Sequence, residues 1–382
     1  MRTHSRLATL VAFMASAGLL AGCFAAPDSR SSDPASTAVA PATVTSSRDV
    51  IESAPQLTAV AARASADDPV NRVVAISVDG LNPAAITKLG RAKTPNFHRL
   101  MREGAYTLNA RTAYEKTKTL PNHTGMLTGR RIDEKKGGHG VTFNSDTRTT
   151  VHRAADEYVS SVFDVVHDRN GSTALFTSKK KFALYKRTWN TKGGKDTVGR
   201  NNGRAKIDRF TVDTNNTRLA GKVATDLRGS SRTFTFVHLS LPDDVGHDKR
   251  FMSASYLRAV QQTDRNLGTI LSTISSRPTL KKQTLVILTA DHGGDGSTHS
   301  KASKRANYRV PFFVWGPGVA AGRNLYTLNP TSYRSPGTKR VGYSGRQPIR
   351  NGDLANLATD VLDLPRVPGS KFNAKRKLNV FR

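Results

Sequence analysis

The chain has 382 residues, 37% of them hydrophobic, and carries 59 Lys and Arg against 29 Asp and Glu, a formal net charge of +30. That size and profile suit a soluble chain with one large core or two small ones, and a single cysteine excludes any intramolecular disulfide. The charge favours anionic partners such as nucleotides, nucleic acid, anionic lipid or cell-wall phosphate polymers, with a merely solvated basic surface as the plain alternative.

In chain order, Arg2 and Arg6 precede an apolar run at 7–20, "LATLVAFMASAGLL", and then "LAGC" ending at Cys23. A positive start and a run of this length predict a secretory signal over 1–22. Its removal takes off two arginines and no acid, leaving 30 − 2 = +28. Residues 23–70 are rich in Ala, Ser, Thr, Pro and Asp and read as a flexible tether, so the folded domain is expected over 71–382. No other run approaches membrane-span length. "RVVAISVDG" (72–80) predicts a buried strand of parallel type, and "PAAITKL" and "TPNFHRLMREG" (94–104) predict two helices. Further strands are predicted in "STALFTS" (172–178), "TFTFVHLSL" (233–241), "TLVILTA" (284–290) and "VPFFVWGPG" (310–318). Residues 253–276 predict a long helix with Ser253 as its cap and Tyr256, Val260, Leu267, Ile270, Leu271 and Ile274 on its buried face. A closing helix is predicted at 351–365. Strands alternating with helices imply a three-layer α/β/α sandwich around a mainly parallel sheet, with ligands held beyond the carboxyl ends of the strands.

Collecting the acids and imidazoles at those strand ends gives Asp79, then Asp243 and His247 in "LPDDVGH", Asp291 and His292 in "TADHGG", and His299 in "GDGSTHS". Three carboxylates and three imidazoles form a mixed oxygen and nitrogen set that suits zinc or another divalent metal. Six ligands exceed the needs of one catalytic zinc. They fit two ions, a pair that can clamp the attacking and leaving oxygens of a phosphoryl displacement.

These motifs carry a resemblance. "SVDGLNP", "TPNFHRLMREGA", "TKTLPNHTGMLTG", "GGHGVTFN", "LPDDVGHD" and "LTADHGG" occur in the order found in the alkaline phosphatase superfamily, and resemble most closely its type I phosphodiesterase/nucleotide pyrophosphatase branch. The likeness runs from about Val73 to Asn373. It implies that Asp79, Asp291 and His292 hold the metal that also activates the nucleophile, and that Asp243, His247 and His299 hold the other. It implies Thr119 as nucleophile and metal ligand, in preference to Thr117 and Thr124, with Asn122 donating to a phosphate oxygen. The expected chemistry is double displacement through a phosphothreonine. His123 reads as a packing residue or a support behind the ligands, His139 as such a support or part of a turn, and Asp244 as a solvated neighbour of Asp243. The "LAGC" segment likewise resembles a bacterial lipobox, which implies Cys23 as the lipid-bearing residue of an exported, membrane-anchored protein.

In the larger nucleotide pyrophosphatases the last metal histidine lies far beyond Asp-His-Gly. Here none follows His299, so His299 takes that place and less chain remains for a specificity insert. The segment around Thr119 lacks the Cys/Ser-x-Pro-x-Arg pattern of sulfatases. The reading is therefore a two-metal hydrolase of phosphate esters. Its rivals are a non-catalytic basic lipoprotein binding anionic polymers, and a transferase that passes the phospho group to an envelope acceptor.

Overall fold

The structure is a computed structural model that describes residues 70–196 and 202–382. The signal segment, Cys23 and the tether up to residue 69 lie outside these residues. Seven strands form one sheet: β1 (Arg72–Val78), β2 (Ala105–Arg111), β3 (Thr173–Thr177), β4 (Arg209–Val212), β5 (Phe234–Leu239), β6 (Thr284–Thr289) and β7 (Arg309–Trp315). Their order is β2-β7-β6-β1-β5-β3-β4. From β4 to β6 the pairing is parallel throughout, while β7 runs antiparallel to β6 and β2 antiparallel to β7.

The five strands expected from apolar runs are present. β3, β5 and β6 are buried along their whole length, and β1 is buried apart from its first residue. Continuous burial fits strands covered on both faces, where alternation disappears. The helices divide by packing into two groups. Ala254–Ser275 packs with Pro83–Lys93, Pro95–Glu103, Asn216–Gly229 and Leu241–Lys249, whereas Asp353–Val361 packs with Thr119–Thr128 and Val162–His167. These groups cover the two faces, giving the expected three layers. The long helix begins as expected, with the Ser253 side chain accepting from Tyr256 N–H, and all six residues predicted for its inner face are buried. The closing helix is shorter than expected, Asp353–Val361.

The topology positions the site. β1 lies between β5 and β6, and β3 lies on the far side of β5. The carboxyl ends of four neighbouring parallel strands therefore open on one edge, and Asp79, Lys179, Asp243 and Asp291 follow β1, β3, β5 and β6 respectively. Gly80 lets the first of these turns approach the third. Its φ is +69°, and a Cβ there would lie 2.9 Å from Asp243 Cα. Its N–H donates to Asp291 Oδ1 at 3.1 Å, and its carbonyl accepts from the Tyr256 hydroxyl at 2.7 Å.

Candidate metal centre

Two groups of donor atoms form at this edge. In each, the atoms lie within 4.8 Å of one another: Asp79, Asp291 and His292 in the first, Asp243, His247 and His299 in the second. These are the six residues, in the same two sets, that the sequence singles out. The groups adjoin, since the rings of His292 and His299 stack with centroids 3.5 Å apart. All are buried except His247.

Each imidazole is oriented by a backbone carbonyl on its Nδ1: Gly293 O for His292 at 2.9 Å, Ser297 O for His247 at 2.9 Å and Thr117 O for His299 at 2.6 Å. A carbonyl cannot donate, so each Nδ1 carries the proton and each Nε2 presents a lone pair. Those lone pairs face other lone pairs. His292 Nε2 lies 3.1 Å from Asp291 Oδ2 and 3.4 Å from Asp79 Oδ1, and His247 Nε2 lies 3.0 Å from His299 Nε2. Burial lowers the pKa of His292 to about 4, and burial together with His292 lowers that of His299 to about 3, so both are neutral donors at pH 7.

The carboxyls are equally unbalanced. Burial, then the neighbouring Asp79 and Asp243, push Asp291 well above the usual carboxylate range. Burial and Asp79 raise Asp243 as well. Burial works in the same sense on Asp79 and is the largest single effect there, but the Lys179 ammonium, His238 and His292 together outweigh it and hold Asp79 well below that range. Asp79 Oδ1, Asp243 Oδ1, Asp291 Oδ2, His292 Nε2 and Thr119 Oγ are all buried without a hydrogen-bond partner. Buried acceptors are normally paired, and three buried carboxylates against one lysine leave negative charge that a divalent cation would balance. The donor set therefore fits two divalent metals.

Thr119 opens the Thr119–Thr128 helix, whose residues are all buried. The competing hydroxyls are committed elsewhere: Thr117 Oγ donates to His299 O at 2.5 Å, and Thr124 Oγ donates to Leu120 O at 2.8 Å. Only Thr119 of the three has a free hydroxyl. His123 is buried, with Nδ1 2.8 Å from Thr119 O, Nε2 2.8 Å from Ser77 Oγ and Nδ1 3.6 Å from Asp291 Oδ2. It braces the helix start against the first donor group.

Asn122 is placed differently from the expectation. Its Nδ2 donates to Lys116 O at 2.8 Å and Lys118 O at 3.0 Å, and its Oδ1 accepts from Ala113 N–H and Asn351 Nδ2. With both ends of its amide occupied and the residue buried, Asn122 shapes the loop before Thr119 and has no donor to offer a phosphate. The amide beside the helix start is Asn144, whose Oδ1 accepts from Leu120 N–H at 3.0 Å and Lys181 Nζ at 3.3 Å.

Lys179 and Lys181 are also absent from the sequence-based set. Lys179 Nζ lies 2.7 Å from Asp79 Oδ2 and 2.5 Å from Asp243 Oδ2, and so bridges the two donor groups. These lysines follow "STALFTS" at a strand end just as the acids do, but a lysine ammonium is not a metal donor, so metal-donor chemistry passes over them.

Residues 73–308 match the family model described as type I phosphodiesterase / nucleotide pyrophosphatase. Ectonucleotide pyrophosphatase/phosphodiesterase family member 3 of Rattus norvegicus is 25% identical over 265 residues, covering 64% of this chain and 28% of its own length. GPI ethanolamine phosphate transferase 1 of Yarrowia lipolytica is 32% identical over 99 residues, covering 26% of this chain and 10% of its own length. The matched region thus spans less than a third of either relative. Among solved structures, murine ectonucleotide pyrophosphatase / phosphodiesterase 5 superposes with a TM-score of 0.56 at 14% identity, covering 81% of this chain and 100% of that one. A mutant of the alkaline phosphatase PafA gives a TM-score of 0.58 at 12% identity, covering 83% and 100%. These likenesses show the fold. Since the family model spans well over half the chain's length, the chain belongs to the type I phosphodiesterase / nucleotide pyrophosphatase family.

Proposed function

We propose that this protein hydrolyses phosphate esters at a two-metal site with Thr119 as the nucleophile. One observation carries the reading: the free Thr119 hydroxyl belongs to a set of buried oxygen and nitrogen atoms that have no hydrogen-bond partner among the described residues. Asp79, Asp291 and His292, with Thr119, would hold one ion, and Asp243, His247 and His299 the other, most simply both zinc. Bound there, the ions would lower the pKa of a hydroxyl and neutralise charge on the phosphate oxygens.

The chain's own residues do the rest. His123 and the helix start hold Thr119 in place. Thr117 fixes the tautomer of His299 through its carbonyl, as Gly293 and Ser297 do for the other two imidazoles. Asn144 is the amide available to donate to a phosphate oxygen, and Lys181 adds a cation beside it. Thr119 Oγ attacks phosphorus and loses its proton to solvent, and the alcohol leaves. Water then cleaves the phosphothreonine and restores the hydroxyl.

The test uses protein lacking residues 1–23. Metal content is measured together with turnover of p-nitrophenyl phosphate and bis-p-nitrophenyl phosphate, for wild type and Thr119→Ala. The expected outcome is about two metals per chain in both proteins, with turnover lost only in the mutant and the two substrates ranked by wild type. Protein that stays metal-free and inactive after zinc or manganese loading would overturn the reading in favour of a non-catalytic binder of anionic polymers.

A second reading has its own support in the similarity to a fungal protein named as an ethanolamine phosphate transferase. The covalent step is shared, and an acceptor alcohol replaces water in the second. Product partition with and without added acceptor separates the two. We further propose that the chain is exported and anchored through lipid on Cys23, on the strength of the "LAGC" segment after its apolar run. Labelling with a fatty-acid analogue, expected for wild type and lost in Cys23→Ala, checks this.

A further inference from the structure

Away from both donor groups lies a second concavity, a cavity of about 470 Å³ bounded by residues 331–333, 345–348, 350, 353, 371–375 and 377. No residue of the candidate metal centre lines it. Its volume falls in the range of small-molecule sites. Five cations line it, Arg346, Arg350, Lys371, Lys375 and Lys377, against one acid, Asp353. Lys206, Lys304, Arg130, Arg218 and Arg376 elsewhere all have carboxylate partners within 4 Å. The five cavity cations form no ion pair among the described residues.

The backbone is built to gather them. Asn373 and Arg376 both adopt left-handed φ, 46° and 51°, which non-glycine residues enter at a cost. Arg376 N–H donates to Asn373 O at 2.8 Å, and the Asn373 side chain accepts from Lys377 N–H, Leu378 N–H and the Tyr333 hydroxyl. Lys371 and Phe372 are pinned by their N–H groups to Gly129 O, just past the helix that Thr119 opens. This turn brings Lys371, Lys375 and Lys377 to one opening. Asn373 is itself buried, and its Nδ2 has no hydrogen-bond partner. Arg350 is buried behind them, its guanidinium held by Thr112 O, Val341 O, Gly342 O and Gln347 Oε1. It supplies a fixed positive charge; Asp353 and Glu115 act on it through space, but neither forms an ion pair with it among the described residues. Burial raises the pKa of Asp353 to about 7, so the one acid is partly neutral at physiological pH and offsets the cations weakly.

We infer that this cavity is a second anion-binding site, separate from the metal centre, that takes an oligophosphate. Three lysine ammoniums with freely rotating donors suit several phosphate oxygens at once, and the Arg346 fork can grip one phosphate from two sides. The shared chemistry is a run of phosphate groups, either free in solution or within a phosphodiester polymer.

The experiment titrates inorganic tripolyphosphate into metal-loaded Thr119→Ala protein by calorimetry, with orthophosphate present to occupy the metal centre. One equivalent is expected to bind, with affinity falling as salt rises. The combined variant Lys371→Ala, Lys375→Ala, Lys377→Ala is expected to bind about tenfold or more weakly, with unchanged melting temperature. The same three changes to Arg are expected to restore most of the affinity. In the Thr119 background, turnover of p-nitrophenyl phosphate is expected to be unchanged by the three Ala changes. A glycerol-phosphate oligomer run in parallel identifies the source: tighter binding per phosphate than tripolyphosphate assigns the site to a polymer. Unaltered affinity in the Ala variant overturns the inference. So does an equal loss from Lys88→Ala, Lys93→Ala, Lys192→Ala, since the anion would then be answering net charge and not the cavity.

Discussion

Lys179 is the residue on which the balance of the centre turns. Its ammonium neutralises Asp79 and Asp243 together, and burial by itself would drive both carboxyls toward the protonated form. Replacing it by Met removes that charge and leaves two buried carboxylates facing each other. In metal-free protein, Lys179→Met is expected to lower stability by roughly 3–5 kcal/mol, the scale of breaking a buried pair. Zinc supplies the missing charge, so urea unfolding with zinc should show a smaller loss than unfolding with chelator. Equal losses in both conditions would mean that Lys179 is only a packing element. The acids and imidazoles were legible in the sequence because metal-donor types are few and each follows a strong strand signal. Asn122 and Asn144 were not separable in that way. Both are amides near Thr119, and only the fold shows that the first is used up on Lys116 and Lys118 carbonyls while the second meets the Leu120 N–H.

At the scale of elements, β1, β3, β5, β6 and β7 were legible because burial on both faces demands unbroken apolar runs. β2 and β4 were not. Arg209–Val212 is an edge strand with exposed ends, and Ala105–Arg111 mixes buried and half-buried positions, so neither carries such a run. The edge is joined to the centre by short helices, and one of them has a titrating cap. Ser161 and Asp164 form a reciprocal capping box at the start of Val162–His167, and the Tyr158 hydroxyl also donates to Asp164. Burial raises the Asp164 pKa from 3.8 to about 6, partly countered by these hydrogen bonds. A carboxyl whose folded pKa is raised favours the folded state while protonated, and that contribution is lost as pH rises from the unfolded value through the folded one. Stability is therefore expected to fall by about 2–3 kcal/mol from this group between pH 4 and pH 6. Asp164→Asn should flatten that stretch of the stability–pH curve, as measured by urea midpoints. An unchanged slope would assign the effect to other carboxyls.

The whole molecule shows why the centre is assembled from distant parts. Its candidate ligands run from Asp79 to His299, 299 − 79 = 220 positions apart, and β1 reaches its two partners only after more than 150 intervening residues have found their places. Such long loops must close before any of these contacts is rewarded, which slows folding. Neither donor group exists in a chain that has not yet set β1 between β5 and β6. Metals taken up by these groups would therefore trap the finished fold but not guide its formation. Adding zinc to refolding protein is expected to leave the folding rate constant nearly unchanged and to slow unfolding instead, as seen in the two arms of a chevron with and without chelator. Acceleration of the folding arm would show that a local cluster binds metal early. The order of the strands thus places any capture of metal after the fold is complete, as the closing step in the making of a new molecule.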